Sequence, residues 1–177
     1  MTAPQGTRNG ILSLTIKDKA VLYAAYMPFL QNGGLFIPTN KHFHVYTSFV
    51  NVYLRKLAPR GQLPKLDIED ENATFGLKTL QDLGWKDILD GLTCTECGRC
   101  QAACPAFHTG KPLNPKTLIL QNEAALLAGR FETTLADIFD AKVLWQCTTC
   151  GACEAQCPVG VEHLPLIIGA RRGLASN

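Results

Sequence analysis

Cysteine is the residue type with the clearest chemical potential in this 177-residue chain, and all eight cysteines lie between positions 94 and 157. Cys94, Cys97, Cys100 and Cys104, followed by Pro105, read C-x2-C-x2-C-x3-C-P. Cys147, Cys150, Cys153 and Cys157, followed by Pro158, repeat that pattern fifty-three positions later. Thr95 and Thr148, Gly98 and Gly151, and Ala102 and Ala155 match at the same offset. The chain therefore carries an internal repeat built around thiols.

Thiols at such spacings are disulfide partners or metal ligands. The opening MTAPQGTRNG lacks the apolar run of a secretory signal, so the expectation is a reducing compartment and no disulfide framework. Zinc takes four ligands tetrahedrally, usually from two separated C-x2-C pairs, and an unbroken triple suits it poorly. Three cysteines spaced by two residues can instead wrap one [4Fe–4S] cube, each thiolate on a different iron, while the fourth reaches the other cluster. Gly98 and Gly151 would allow the positive φ that such a wrap needs, turning amides towards the cluster. The spacing thus predicts two [4Fe–4S] clusters with crossed ligation. Cys94, Cys97, Cys100 and Cys157 hold the first; Cys147, Cys150, Cys153 and Cys104 hold the second.

Helices must carry these ligands. Leu77, Leu80, Leu83, Ile88, Leu89 and Leu92 recur at helical spacing, interrupted at Gly84. Asn114-Pro115 reads as an N-cap with proline at the first helical position; Leu118, Ile119, Ala125 and Leu126 continue the apolar face, and Gly129 is the stop. A further helix is expected from Thr133 or Thr134, burying Leu135, Ile138, Phe139 and Leu144 and delivering Trp145 and Cys147 to the second cluster. Pro165 would open a last helix with Arg171 and Arg172 near its C-terminus. Trp85 and Trp145 read as core aromatics, with shielding of a cluster as a further role for Trp145. His108 and His163, which follow the two motifs, read as surface or outer-sphere histidines, with cluster tuning or proton relay as the rival roles.

Composition sets outer limits. Apolar residues make up 46% and the formal charge is +2, which permits a buried core and gives no reason to expect nucleic acid as a partner. No run reaches the roughly 18 apolar residues of a membrane span. The acidic run Asp67, Glu69, Asp70 and Glu71 reads as a solvated linker. No Ser–His–Asp set, catalytic carboxylate pair or phosphate-cradling glycine motif is evident.

Residues 42–177 resemble the heterodisulfide-reductase-related Fe–S oxidoreductase subunits of the α-helical ferredoxin type. The likeness rests on HVYTSFVNVYLRKLAPRG, TFGLKTLQDLGWKDILDGLTCTECGRCQAACPAFHTGKPLNPKTLIL and VLWQCTTCGACEAQCPVGVEH. It implies an electron relay within a larger oxidoreductase, with a flavoprotein, a CCG-domain protein or a membrane cytochrome as partner subunit. It also implies a cytoplasmic location, peripheral at the inner face of the membrane at most. Longer members of that family carry a membrane segment before this region and CCG domains after it; the sequence shows neither, so no substrate site is expected in it. His42 and His44 match the point where those relatives leave the membrane, and are not assigned haem here.

Residues 9–41, with the alternation Leu12-Ser13-Leu14-Thr15-Ile16 and the turn Asn32-Gly33-Gly34, resemble the start of a type IV pilus PilZ domain. The Arg-x-x-x-Arg element that grips cyclic di-GMP in such domains is absent, so no nucleotide binding is carried over. The alternative function is accordingly a pilus-type regulatory module with structural clusters. The expected fold is mainly α: a partial β segment over 1–41, a linker over 42–74 and an α-helical ferredoxin-type domain over 75–177.

Overall fold

A computed structural model describes residues 43–57, 62–63 and 76–176; the PilZ-like segment and the acidic run lie outside them. Nine α-helices occur among the described residues, with no extended strand. The first, α1 (Phe43–Tyr53), packs on α2 (Trp85–Thr93). Three short helices flank the cysteines: α3 (Arg99–Ala102), α4 (Pro105–His108) and, in the second repeat, α8 (Ala152–Gln156). Between the repeats run α5 (Pro115–Leu127), α6 (Leu135–Ile138) and α7 (Ala141–Trp145), and α9 (His163–Ala175) closes the bundle.

Local chemistry accounts for most boundaries. Asn114 Oδ1 accepts from the Lys116 and Thr117 amides at 3.0 and 3.4 Å, capping α5 as its sequence predicts. Leu118, Ile119, Ala125 and Leu126 are buried, and Gly129 ends the segment at φ +66°. The helix expected from Thr134 is broken in two. Phe139 is extended, and Asp140 restarts the chain as an N-cap accepting from the Lys142 amide at 2.8 Å. Helix α9 begins two residues before Pro165, whose missing N–H falls in the first turn, where no intrahelical partner exists.

The segment before α2 is held by close backbone packing. Leu77 N–H donates to Gly169 O at 2.8 Å. A Cβ on Gly173 would stand 2.1 Å from Leu77 O, and one on Gly76 would stand 2.1 Å from Gly173 N. Glycine at both positions is what lets the Gly76–Leu77 backbone lie against α9. Beyond it, a single 3₁₀ turn (Leu80–Asp82) seats Leu80 and Leu83 in the core beside Ile119, Leu135 and Ile167. Gly84, expected only to interrupt a helix, is the N-cap of α2, and its amide donates to Asp87 Oδ2 at 2.9 Å.

Polarity on α1 and α2 runs opposite to the usual pattern. Helix α2 buries Lys86, Asp87, Asp90 and Thr93, while Ile88, Leu89 and Leu92, expected to form its buried stripe, are only half-buried. Helix α1 turns Asn51 fully inward and leaves Phe49 and Tyr53 77% and 86% exposed. Desolvated polar groups need partners at once, and here each helix supplies them to the other. Thr47 Oγ1 donates to Leu92 O, and Asn51 Nδ2 donates to Asp90 Oδ1 at 2.8 Å.

Candidate metal centre

The two motifs fold alike. Gly98 and Gly151 adopt φ +76° and +72°, each as the N-cap of a short helix, in the left-handed region expected for them. Two residues earlier in each repeat, Glu96 and Thr149 also adopt positive φ, +53° and +55°. Nothing in those side chains announces that conformation; the fifty-three-residue offset is the signal that pairs them. The turn aims an amide back at the first thiol of each motif. Thr149 N–H donates to Cys147 Sγ at 3.4 Å, and Glu96 N–H makes the matching bond to Cys94. Helices α3 and α8 then pack against each other, joining the two repeats.

The cysteines are distributed over helix ends. Cys94 terminates α2, Cys104 caps α4 ahead of Pro105, and Cys157 terminates α8. Cys100 and Cys153 sit within α3 and α8, Cys147 follows α7, and Cys97 and Cys150 lie exposed in the turns. A cavity lined by Cys94, Cys97 and Cys100 from the first motif also has Cys157, from the second, on its wall. Cys104 of the first motif neighbours Cys147, which together with Cys150 also neighbours Cys153. All eight thiols stand without a disulfide.

Burial pushes the Cys94 thiol up to about 11, and the same cause raises Cys100, Cys147, Cys153 and Cys157. Such thiols keep their protons at neutral pH until a cationic centre offsets the desolvation of the thiolate. A hydrogen bond from Val161 N–H to Cys157 Sγ at 3.3 Å favours the thiolate, as does Arg171 beside Cys147. Among the described residues no three His, Cys, Asp or Glu side chains converge on a single ion. A cube asks for no such convergence, since each thiolate binds its own iron. The donor set therefore fits an iron–sulfur cluster in each motif region.

His163 is 2% exposed and lines the cavity of Cys94, Cys97, Cys100 and Cys157. Burial pushes its imidazole down to about 4, against a smaller opposing pull from a Val161 backbone bond, so the ring is neutral at pH 7. Of its two readings, surface or outer-sphere, this burial against the cysteine cavity leaves the outer-sphere one. His108 is exposed, with Nε2 2.6 Å from Ala102 O; His44 is half-buried, and His42 lies outside the described residues. Trp145 is not a core aromatic: it is 58% exposed and lies under the Arg171 guanidinium at 5.1 Å. Arg171 was expected to serve the end of its own helix. Instead its Nε donates to Leu144 O at 2.9 Å and its Nη2 to Cys147 O at 2.6 Å, fixing the end of α7 beside Cys147.

A second group escaped the sequence reading. Lys86 Nζ pairs with Asp90 Oδ1, stands 3.6 Å from Glu162 Oε1 and donates to Gly160 O at 3.3 Å. Asn51 Nδ2 bonds Val159 O at 3.0 Å, and Glu162 N–H donates to Asp90 Oδ2 at 3.2 Å. These bonds grip the loop immediately after Cys157. Burial raises the Asp90 carboxyl to about 7, opposed by Lys86 and Asn51. The Lys86-x3-Asp90 spacing on one helix was the available clue.

Residues 90–161 match the family of 4Fe–4S dicluster domains, a span that contains every cysteine. The chain is 36% identical to an EtfAB:quinone oxidoreductase of Syntrophomonas wolfei over 78% of its own length and 24% of the relative. It is 34% identical to a probable membrane-anchored ferredoxin of Chromohalobacter salexigens, over 63% of itself and 20% of the relative. It is 38% identical to a subunit of the ferredoxin:CoB-CoM heterodisulfide reductase of Methanosarcina mazei, over 54% of itself and 51% of that protein. The chain thus spans about a quarter or less of the first two relatives and about half of the third. No solved structure matches. Among the described residues no helix is long and apolar enough to cross a membrane. A paired thiol motif, a backbone that repeats with it and a matching family model converge on one assignment: residues 90–161 are a 4Fe–4S dicluster domain, and the chain carries two [4Fe–4S] clusters.

Proposed function

We propose that this protein relays electrons between subunits of a larger oxidoreductase. The observation that carries the reading is the cavity in which Cys157 of the second motif joins Cys94, Cys97 and Cys100 of the first. Cys94, Cys97, Cys100 and Cys157 hold one cluster; Cys147, Cys150, Cys153 and Cys104 hold the other. The clusters supply reversible one-electron chemistry. The chain's own residues fix the spacing of the two sites through α3 and α8, exclude water from Cys100, Cys104 and Cys153, and direct amides at sulfur. Exposed Cys97 and Cys150 mark the faces nearest to solvent, where a donor and an acceptor subunit could each approach. The similarity to an EtfAB:quinone oxidoreductase and to a heterodisulfide reductase subunit supports redox subunits of a larger oxidoreductase as partners; a flavoprotein, CCG-domain or membrane cytochrome subunit is our proposal from the sequence resemblance. The likeness to a probable membrane-anchored ferredoxin supports peripheral association with a membrane; our reading is a cytoplasmic protein, peripheral at the inner face.

Anaerobic purification with iron and sulfide analysis, followed by EPR of the reduced chain, tests the reading. Iron and sulfide sufficient for two cubes, with reversible reduction, are expected; a colourless protein bearing zinc would overturn it.

A further inference from the structure

Among the described residues, three buried side-chain atoms have no hydrogen-bond partner: Asn51 Oδ1, Asn122 Oδ1 and His163 Nδ1. Only His163 among them lines the cysteine cavity. Val161 pulls weakly on the ring through its backbone, but no hydrogen bond reaches Nδ1, and the amides on either side are already engaged. Val161 N–H donates to Cys157 Sγ, and Leu164 N–H donates to Glu154 Oε1 at 2.8 Å. A buried polar atom left over in this way calls for a partner that the protein itself does not supply. Cluster sulfides and ligating thiolates are hydrogen-bond acceptors, so the partner they require is a donor.

We propose that His163, through Nδ1–H, is a hydrogen-bond donor to the cluster held by Cys94, Cys97, Cys100 and Cys157, and thereby raises that cluster's potential. The inference rests on the ligand assignment of the preceding subsection. A donor bond to sulfur stabilises the extra negative charge of the reduced state more than the oxidised state, which is the direction of the effect. The repeat makes it one-sided. Fifty-three positions before His163 stands Gly110, which has no side chain to do the same for the second cluster. His163 is a positioning and tuning residue here, not a ligand.

The test is an EPR-monitored redox titration of the whole chain beside His163→Leu and His163→Asn, with iron and sulfide measured in each. Leucine removes the donor; the asparagine amide nitrogen stands where Nδ1 stood. In His163→Leu the reduced-to-oxidised ratio of one cluster at fixed potential should fall about tenfold, equivalent to about 59 mV for one electron. The other cluster should not move, and His163→Asn should recover most of the shift. An unchanged potential in His163→Leu with both cubes present overturns this inference alone, and so does equal behaviour of the leucine and asparagine variants. A wild-type chain without cubes overturns the ligand assignment as well. Should the variants fail to assemble, wild-type protein grown on 15N-histidine decides the matter. A histidine 15N coupling to one reduced cluster is expected, and its absence overturns the proposal.

Discussion

The two cysteine motifs share a backbone but not an environment. Glu96 and Thr149, and Gly98 and Gly151, hold matching positive φ values fifty-three residues apart. Around the first motif stand His163, Lys116, Glu96 and the carboxyl of Glu123, which burial and then Glu96 push upward. Around the second stand Arg171 and exposed Trp145. Repetition thus fixes how thiols are presented, and divergence fixes the electrostatics they meet. Two sites built alike and surrounded differently will differ in potential.

Exchanging the fourth ligands gives the largest expected effect. Cys157→Ala should abolish the cluster of the first motif and Cys104→Ala that of the second, each leaving its neighbour, as separate EPR signals and iron counts would register. If each substitution instead removed the cluster of its own motif, the crossing would be wrong. Arg171→Ala comes next. It strips charged donors from Leu144 O and Cys147 O, a loss of about 2 kcal/mol in thermal or denaturant stability. It should also lower the second cluster's potential while sparing the first. Lysine at 171 should not rescue, because it cannot present two nitrogens in a fixed fork.

What was legible in the sequence was what is local. The cysteine spacing, the Asn114 cap and the Gly98 and Gly151 turns depend on residues within a few positions, and the structure places those turns and that cap as read. Periodicity failed on α2 because it assumes that apolar residues face inward. The partners that let Lys86 and Asp90 face inward are Asn51, Val159, Gly160 and Glu162, remote in sequence. Trp145 misled for a similar reason: its cover is Arg171, which belongs to a different helix. The helix break at Asp140 was readable in principle, since aspartate there is an ordinary N-cap.

Those remote polar groups make the first motif's surroundings titrate. Asp90, raised from 3.8 to about 7, binds a proton in the folded chain that the unfolded chain has released, so stability falls as pH rises between about 4 and 7. His163, lowered from 6.5 to about 4, does the opposite: the unfolded chain takes up a proton that the folded one refuses, so stability rises over nearly the same range. In the native protein the two slopes oppose each other over this range. Asp90→Asn should expose stability that rises with pH, and His163→Asn stability that falls with pH. Melting of the cluster-loaded variants at pH 5.0 and 6.0 under anaerobic conditions reads both signs. Equal pH dependence in all three proteins would mean that neither group is buried as described.

The smallest effect is the sharpest test of equivalence. Gly98→Ala and Gly151→Ala each force a side chain into the left-handed region, at a cost of about 1 kcal/mol. Space does not distinguish them strongly. A Cβ on Gly98 meets nothing within 4 Å, and one on Gly151 meets Leu164 Cδ1 at 4.0 Å, an ordinary contact. Backbone strain alone should therefore set both losses, and they should agree within a few tenths of a kcal/mol in denaturant titrations. A markedly larger loss at one glycine would show that its turn is held by its surroundings rather than by the shared backbone, and the division between repeated presentation and divergent environment would fail at the turn itself.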